Sequence, residues 1–96
     1  IDLIAERVLT VGGTPLHTFE DYIENNQLVV GKNISNDEKA VQLIVTSLSH
    51  LLKLEREILT KSAEISDEGT NAMMSDFIAE QEKTIWMMQA WLEESL

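Results

Sequence analysis

The sequence predicts an all-α protein with three helical stretches and one further, short helix. Apolar residues recur every three or four positions along most of the chain, which is the period of an amphipathic helix. Helix-breaking residues are few, with four Gly and one Pro in the chain. Three of these five residues fall together in the segment Gly12-Gly13-Thr14-Pro15. No segment shows the alternation of a half-buried strand, so no strand is predicted.

The first helix is predicted over residues 1–11. Its apolar residues recur at three and four, and Gly12-Gly13 and then Pro15 end it, as glycine and proline do at helix C-termini. The helical pattern is already under way at the first residue. We therefore expect this segment to be the second part of a longer helix.

A short helix is predicted over residues 18–24. Thr18 is a plausible N-cap, with Asp21 three residues further on. The following stretch contains Asn-Asn and Gly without a helical period, so it is interpreted as a connection.

Two long helices follow, over residues 36–64 and 67–94. Ser35 and Glu38 match the S-x-x-E capping box, which predicts Ser35 as the N-cap of the first of them. Two helices of about 40 Å at 1.5 Å per residue leave apolar surface on both. We expect a further helix and a half, extensive oligomerisation, or both to cover it.

The composition restricts the class of function. The chain of 96 residues has 7 Lys and Arg against 17 Asp and Glu, a net charge of −10, so its surface should repel nucleic acid and attract cations. A charge that only maintains solubility is the alternative. The sequence has no cysteine, which excludes a thiolate metal site and fits a reducing cytoplasm. No apolar run is long enough for a membrane span.

One pair of residues stands out as a candidate metal ligand set. Asp2 and Glu6 are four residues apart on the first helix, so their carboxylates share a face, and carboxylate oxygens suit hard cations and iron. A solvated helix face is the alternative at this spacing. His17 and His50 have no acidic partner at i−3 or i−4, and surface or packing roles are favoured for both. No nucleophile or nucleotide motif is present.

Two blocks of sequence resemble the Dps family of mini-ferritins. DLIAERVLTVGGTPLHTFEDYIEN is similar to the family pattern D-x-x-A-E-R, an apolar run, G-G-x-P and a short helix. SDEGTNAMMSDFIAEQEKTIWMMQAWL is similar to its last helix. The resemblance implies a ferritin-like four-helix bundle with a short connecting helix, present here as one domain, residues 1–96, without the first helix and the start of the second.

The resemblance also implies a function. Family members form hollow dodecamers, oxidise Fe(II) mainly with hydrogen peroxide, and store the ferric mineral, which protects against oxidative stress. Asp2 and Glu6 match the family's ferroxidase carboxylates, whose histidine partners have no counterpart here. Asp67 and Glu68 match acidic residues of its three-fold pores, with Glu68 favoured, and Arg7 is expected to form an orienting ion pair.

The resemblance leaves alternatives open. DNA binding in the family usually rests on a basic tail, and the C-terminal AWLEESL is acidic, so no DNA binding is expected from this portion. The alternatives to a ferroxidase are a non-catalytic cage or DNA-protecting structural protein of the same fold, and a helical protein-interaction module.

Overall fold

The computed structural model describes residues 1–95, which form four α-helices and no β-strand. The prediction of an all-α fold is therefore confirmed for these residues. Leu96, which the predicted domain includes, lies outside the described residues. The helices are α1 (Asp2–Thr10), α2 (Phe19–Asn25), α3 (Asp37–Glu64) and α4 (Glu68–Ser95).

The two long helices form the body of the fold. α3 and α4 have 28 residues each, about 42 Å at 1.5 Å per residue, and they pack antiparallel along their length. The apolar side chains at the centre of this contact are Leu52 of α3 with Met74 and Ile85 of α4, all buried. These two helices are the framework on which α1 is placed.

A tight connection reverses the chain between α3 and α4. Ser66 has a positive φ of 59°, and the N–H of Asp67 donates to the carbonyl of Ser62 over 2.8 Å. This reversal places the first turn of α4 directly beside the last turn of α3. The acidic residues Asp67 and Glu68 thereby come to one end of the helix pair.

The double glycine ends α1 as the sequence predicts. Gly12 has a φ of +90°, which L side chains rarely adopt, and its N–H donates to the carbonyl of Leu9 over 3.0 Å. The N–H of Gly13 donates to the carbonyl of Val8 over 2.8 Å. Glycine at this position relieves the steric penalty of the left-handed backbone and stops the helix.

Of the two predicted N-caps, one is confirmed and one is wrong. Thr18 Oγ1 accepts from the N–H of Asp21 over 3.1 Å and begins α2. At α3 the cap is Asn36, whose Oδ1 accepts from the N–H of Lys39 over 3.0 Å, and not Ser35. Asn is as good an N-cap as Ser, so two adjacent polar residues compete for the position and the sequence pattern alone does not separate them.

Large apolar side chains remain in solvent on both long helices. Ile44 and Ile58 of α3 are 43% and 42% exposed, and Trp86 and Met87 of α4 are 66% and 49% exposed. The helix pair thus leaves apolar surface uncovered within the described residues. None of the four helices combines the length and apolarity needed to traverse a lipid bilayer in residues 1–95.

Candidate metal centre

The two predicted iron ligands lie on α1 and are open to solvent. Asp2 and Glu6 are one helical turn apart, so their side chains project from the same face. Within residues 1–95, neither carboxylate takes part in an ion pair or a side-chain hydrogen bond. Both are therefore free to bind a cation, and a bound cation would relieve their mutual repulsion.

These two carboxylates are not a complete site. A hard cation surrounded by oxygen takes about six ligands, and two carboxylates supply at most four oxygens. Among residues 1–95, no group of three or more His, Cys, Asp or Glu side chains is placed to hold a metal ion. The donor chemistry fits iron, and further ligands would have to come from outside the described chain. The assignment of Asp2 and Glu6 stays a prediction.

Arg7, next to Glu6, ties α1 to the beginning of α4. Its Nη2 donates to Asp67 Oδ1 over 2.7 Å, and its Nε donates to Thr70 Oγ1 over 3.0 Å. The Arg7 and Asp67 side chains are 26% and 25% exposed, so water screens this ion pair less than it screens one on an open surface. Arg7 therefore connects the helix that carries the candidate ligands to the helix pair.

Asp67 is the N-cap of α4, and its carboxylate is fully engaged. Its Oδ1 accepts from the N–H of Thr70 over 3.2 Å, and its Oδ2 accepts from the Thr70 hydroxyl over 2.6 Å. The hydrogen bonds from Thr70, together with Arg7, hold the pKa of Asp67 below its usual value of 3.8. A cation binding to Asp67 would compete with all three of these donors.

Glu68 has a different environment from its neighbour. It is the first residue of α4, and its side chain is exposed, with no ion pair or side-chain hydrogen bond in the described chain. It also lines a shallow, mostly open cavity of about 250 Å³ at the α3–α4 connection. Among the described residues, Asp67 has partners for its carboxylate and Glu68 has none, and the pore role of both remains a prediction.

Each of the two histidines has a polar partner other than the α1 carboxylates. His17 donates its backbone N–H to Asp21 Oδ2 over 3.4 Å, and its Nδ1 lies 3.8 Å from the same oxygen. Hydrogen bonds from the Thr18 side chain and this backbone N–H lower the pKa of Asp21 from its usual 3.8. His50 Nε2 lies 3.1 Å from Gln27 Oε1.

The sequence analysis missed one polar pair between the long helices, formed by the buried Glu55 of α3 and the half-buried Gln81 of α4. Glu55 is only 7% exposed, and its Oε2 accepts from Gln81 Nε2 over 2.9 Å. A signal was present in the sequence, because Glu55 falls between Leu52 and Leu59 at the spacing of three and four that marks the packed face of α3. The pair lies between α3 and α4 and makes no contact with Asp2 or Glu6.

This architecture is also found in known proteins. Residues 1–95 match the family model of the ferritin-like domain. The crystal structure of the Dps protein of Vibrio cholerae O1, described as a member of a broad superfamily of ferritin-like diiron-carboxylate proteins, superposes with a TM-score of 0.93 at 42% identity. That match covers 95% of this chain and 57% of the Vibrio chain.

Two curated relatives match most of this chain and a little over half of their own length. An uncharacterized protein of Haemophilus influenzae is 38% identical over 90 residues, which are 94% of this chain and 56% of the relative. The DNA protection during starvation protein of Porphyromonas gingivalis is 30% identical over 91 residues, which are 95% of this chain and 57% of the relative. The chain thus spans a little over half the length of these relatives.

Proposed function

The chain belongs to the ferritin-like domain family and has Dps proteins as homologues, and from that premise we propose that it is part of an iron-storage and detoxification subunit. In this proposal the whole protein oxidises Fe(II) with hydrogen peroxide and keeps the ferric product inside a hollow homo-oligomer, a dodecamer, in the cytoplasm. The observation that carries the proposal is the free, exposed pair Asp2 and Glu6 on a helix of this fold.

Asp2 and Glu6 are proposed to bind the Fe(II) substrate. Their oxygens are the donors that iron takes from carboxylates, and no partner within the described residues competes for them. Two carboxylates leave the ion incompletely coordinated, so we propose that histidines of a second subunit supply the other ligands. This arrangement makes the site depend on assembly.

The proposed reaction balances with two ferrous ions for each peroxide. Each Fe(II) gives up one electron, and the two electrons and two protons convert hydrogen peroxide to two molecules of water. The protein's part is to hold the two ions close together and to receive the positive charge that grows from Fe(II) to Fe(III). A pair of carboxylates stabilises that increase in charge electrostatically.

Entry of iron is proposed to use the acidic end of α4. The net charge of −10 attracts cations to the surface, and a ring of carboxylates around a symmetry axis would focus them at one opening. Glu68 is the residue available for such a ring, because Asp67 is engaged by Arg7 and Thr70.

The double variant Asp2→Asn, Glu6→Gln of the whole protein tests the proposed oxidation site. We expect it to lose peroxide-dependent Fe(II) oxidation, followed by the absorbance of the ferric product, while light scattering still shows the oligomer. Glu20→Gln, Glu24→Gln is the matched control, because it also removes two exposed carboxylates four residues apart from one helix. Wild-type oxidation rates in the Asp2, Glu6 variant would refute the site, and a monomeric wild-type protein would refute the cage.

A second candidate function is DNA protection by a structural cage without oxidation. The observation that favours it is the description of the Porphyromonas gingivalis relative as a DNA protection during starvation protein. The surplus of acidic residues opposes direct contact of this portion with phosphates. A gel-shift assay with the whole protein at low salt separates the two, since DNA binding without Fe(II) oxidation would favour the structural role.

A further inference from the structure

Arg7 joins α1 to the helix pair by side-chain hydrogen bonds. Within the described residues, α3 and α4 are the one pair of helices that pack extensively. The side-chain hydrogen bonds from α1 to another helix in residues 1–95 are the two donated by Arg7, to Asp67 and to Thr70. One guanidinium group therefore makes both of these connections between α1 and α4.

The guanidinium rests on a glycine that leaves room for it. A Cβ atom added to Gly69 would lie 2.6 Å from Arg7 Nη2 and 2.9 Å from Arg7 Cζ, closer than such atoms approach. Gly69 is in the first turn of α4, where alanine would favour the helix more, and it has no positive φ. Gly69 therefore leaves open the space that the guanidinium occupies. It lies between Asp67 and Thr70, the two residues that accept hydrogen bonds from Arg7.

We propose that Arg7 is a positioning residue for the carboxylate pair Asp2 and Glu6, seated on Asp67, Gly69 and Thr70. Two hydrogen bonds from a planar, rigid fork restrict both the rotation and the translation of α1. Glu6 precedes Arg7 by one residue, so fixing the guanidinium on α4 fixes the direction of the neighbouring carboxylate. The inference rests on the proposed function, since it assigns a role in the same iron site.

Two variants, called the seat variants, disrupt the contact of Arg7 with Asp67, Gly69 and Thr70, one from α1 and one from α4. Arg7→Gln keeps a good helix former on α1 but loses the charge and the fork. Gly69→Ala leaves α1 unchanged and fills the space under the guanidinium, while strengthening the helix propensity of α4. The matched control is Arg56→Gln, which breaks the 3.2 Å ion pair of Arg56 with Glu82, a similar contact that does not involve α1.

Two measurements on the whole protein follow the effect. Hydrogen–deuterium exchange of the peptide that contains α1 reports how firmly the helix is held. Calorimetric titration with Co²⁺, a redox-stable probe, reports cation affinity. The affinity of interest is that of the binding component that is lost in the variant Asp2→Asn, Glu6→Gln. We expect both seat variants to exchange faster at α1 and to bind Co²⁺ about 10-fold or more weakly, as for other residues that orient metal ligands, and the control to change neither.

The outcomes separate this inference from the proposed function. Unchanged exchange at α1 in both seat variants would overturn it. Faster exchange with unchanged Co²⁺ affinity would also overturn it, because Arg7 would then hold the helix without positioning ligands, and the iron site would stand. If the wild-type protein has no Co²⁺ component that depends on Asp2 and Glu6, the proposed site fails and the inference fails with it.

Discussion

Gln81 Nε2 donates a 2.9 Å hydrogen bond to Glu55 Oε2 across the contact between α3 and α4. Glu55 is 7% exposed, and within the described residues neither Glu55 Oε1 nor Gln81 Oε1 has a hydrogen-bond partner. A carboxylate in this position carries a desolvation penalty that a single hydrogen bond offsets only in part. The centre of the helix pair is thus held by apolar packing, with this polar pair inserted in it.

The stability of the helix pair should therefore respond differently to single and double substitutions. Gln81→Leu leaves a buried carboxylate without its donor, and we expect it to lower the free energy of unfolding by about 1–3 kcal/mol. Glu55→Leu, Gln81→Leu replaces both partners with apolar groups and should be neutral or stabilising. Urea unfolding followed by circular dichroism measures both.

The exposed pair Arg56 and Glu82 provides the control. Their side chains are 56% and 54% exposed, so removing this ion pair with Arg56→Gln should change the free energy of unfolding by less than about 1 kcal/mol. A double variant at Glu55 and Gln81 that is less stable than the wild type would show that the polar pair is net stabilising.

The cap of α4 should be sensitive to acid. The Thr70 and Arg7 partners lower the pKa of Asp67, so the ionised carboxylate stabilises the folded state. This stabilisation is complete at a pH above the ordinary pKa of 3.8. It is lost progressively as the pH falls through the lower pKa that Asp67 has in the folded state. Asp67→Asn keeps a good N-cap but removes the charge. We expect the wild-type protein to be more stable than this variant near neutral pH, with the difference disappearing under strong acid.

Unfolding curves of the two proteins across the acid range measure that difference. Asp76→Asn is a suitable control, because it removes one charge from an exposed position of the same helix. A difference between wild type and Asp67→Asn that is constant with pH would contradict the charged cap.

Iron uptake should depend on Glu68 if the proposed pore exists. Glu68→Gln removes the uncommitted carboxylate at the start of α4, so we expect the whole protein to take up iron more slowly, most clearly at low iron concentration, where electrostatic focusing matters most. Stopped-flow uptake at several salt concentrations measures it, because screening should reduce the difference. Glu80→Gln, an exposed substitution of the same kind further along α4, is the control, and equal uptake in both variants would exclude the pore role.

Local features of this chain could be predicted because they depend on neighbours in sequence. The period of three and four predicts helices, Gly12 with its positive φ ends α1, and Thr18 caps α2 through an N–H three residues away. The error at Ser35 is also local, since Asn36 beside it is an equally good cap and supplies the hydrogen bond. Asp2 and Glu6 could be placed on one face for the same reason.

Only the tertiary structure decided which side chains meet across the helices. Arg7 and Asp67 are 60 residues apart in sequence, and Glu55 and Gln81 are 26 apart, so no periodicity connects them. Their pairing depends on the reversal at Ser66, which sets the alignment of α3 with α4, and on the space above Gly69. The sequence by itself determined the helices and the candidate iron ligands. The fold determined that Asp67 is engaged, that Glu68 makes no ion pair or side-chain hydrogen bond within residues 1–95, and that Arg7 joins the helix of those ligands to α4.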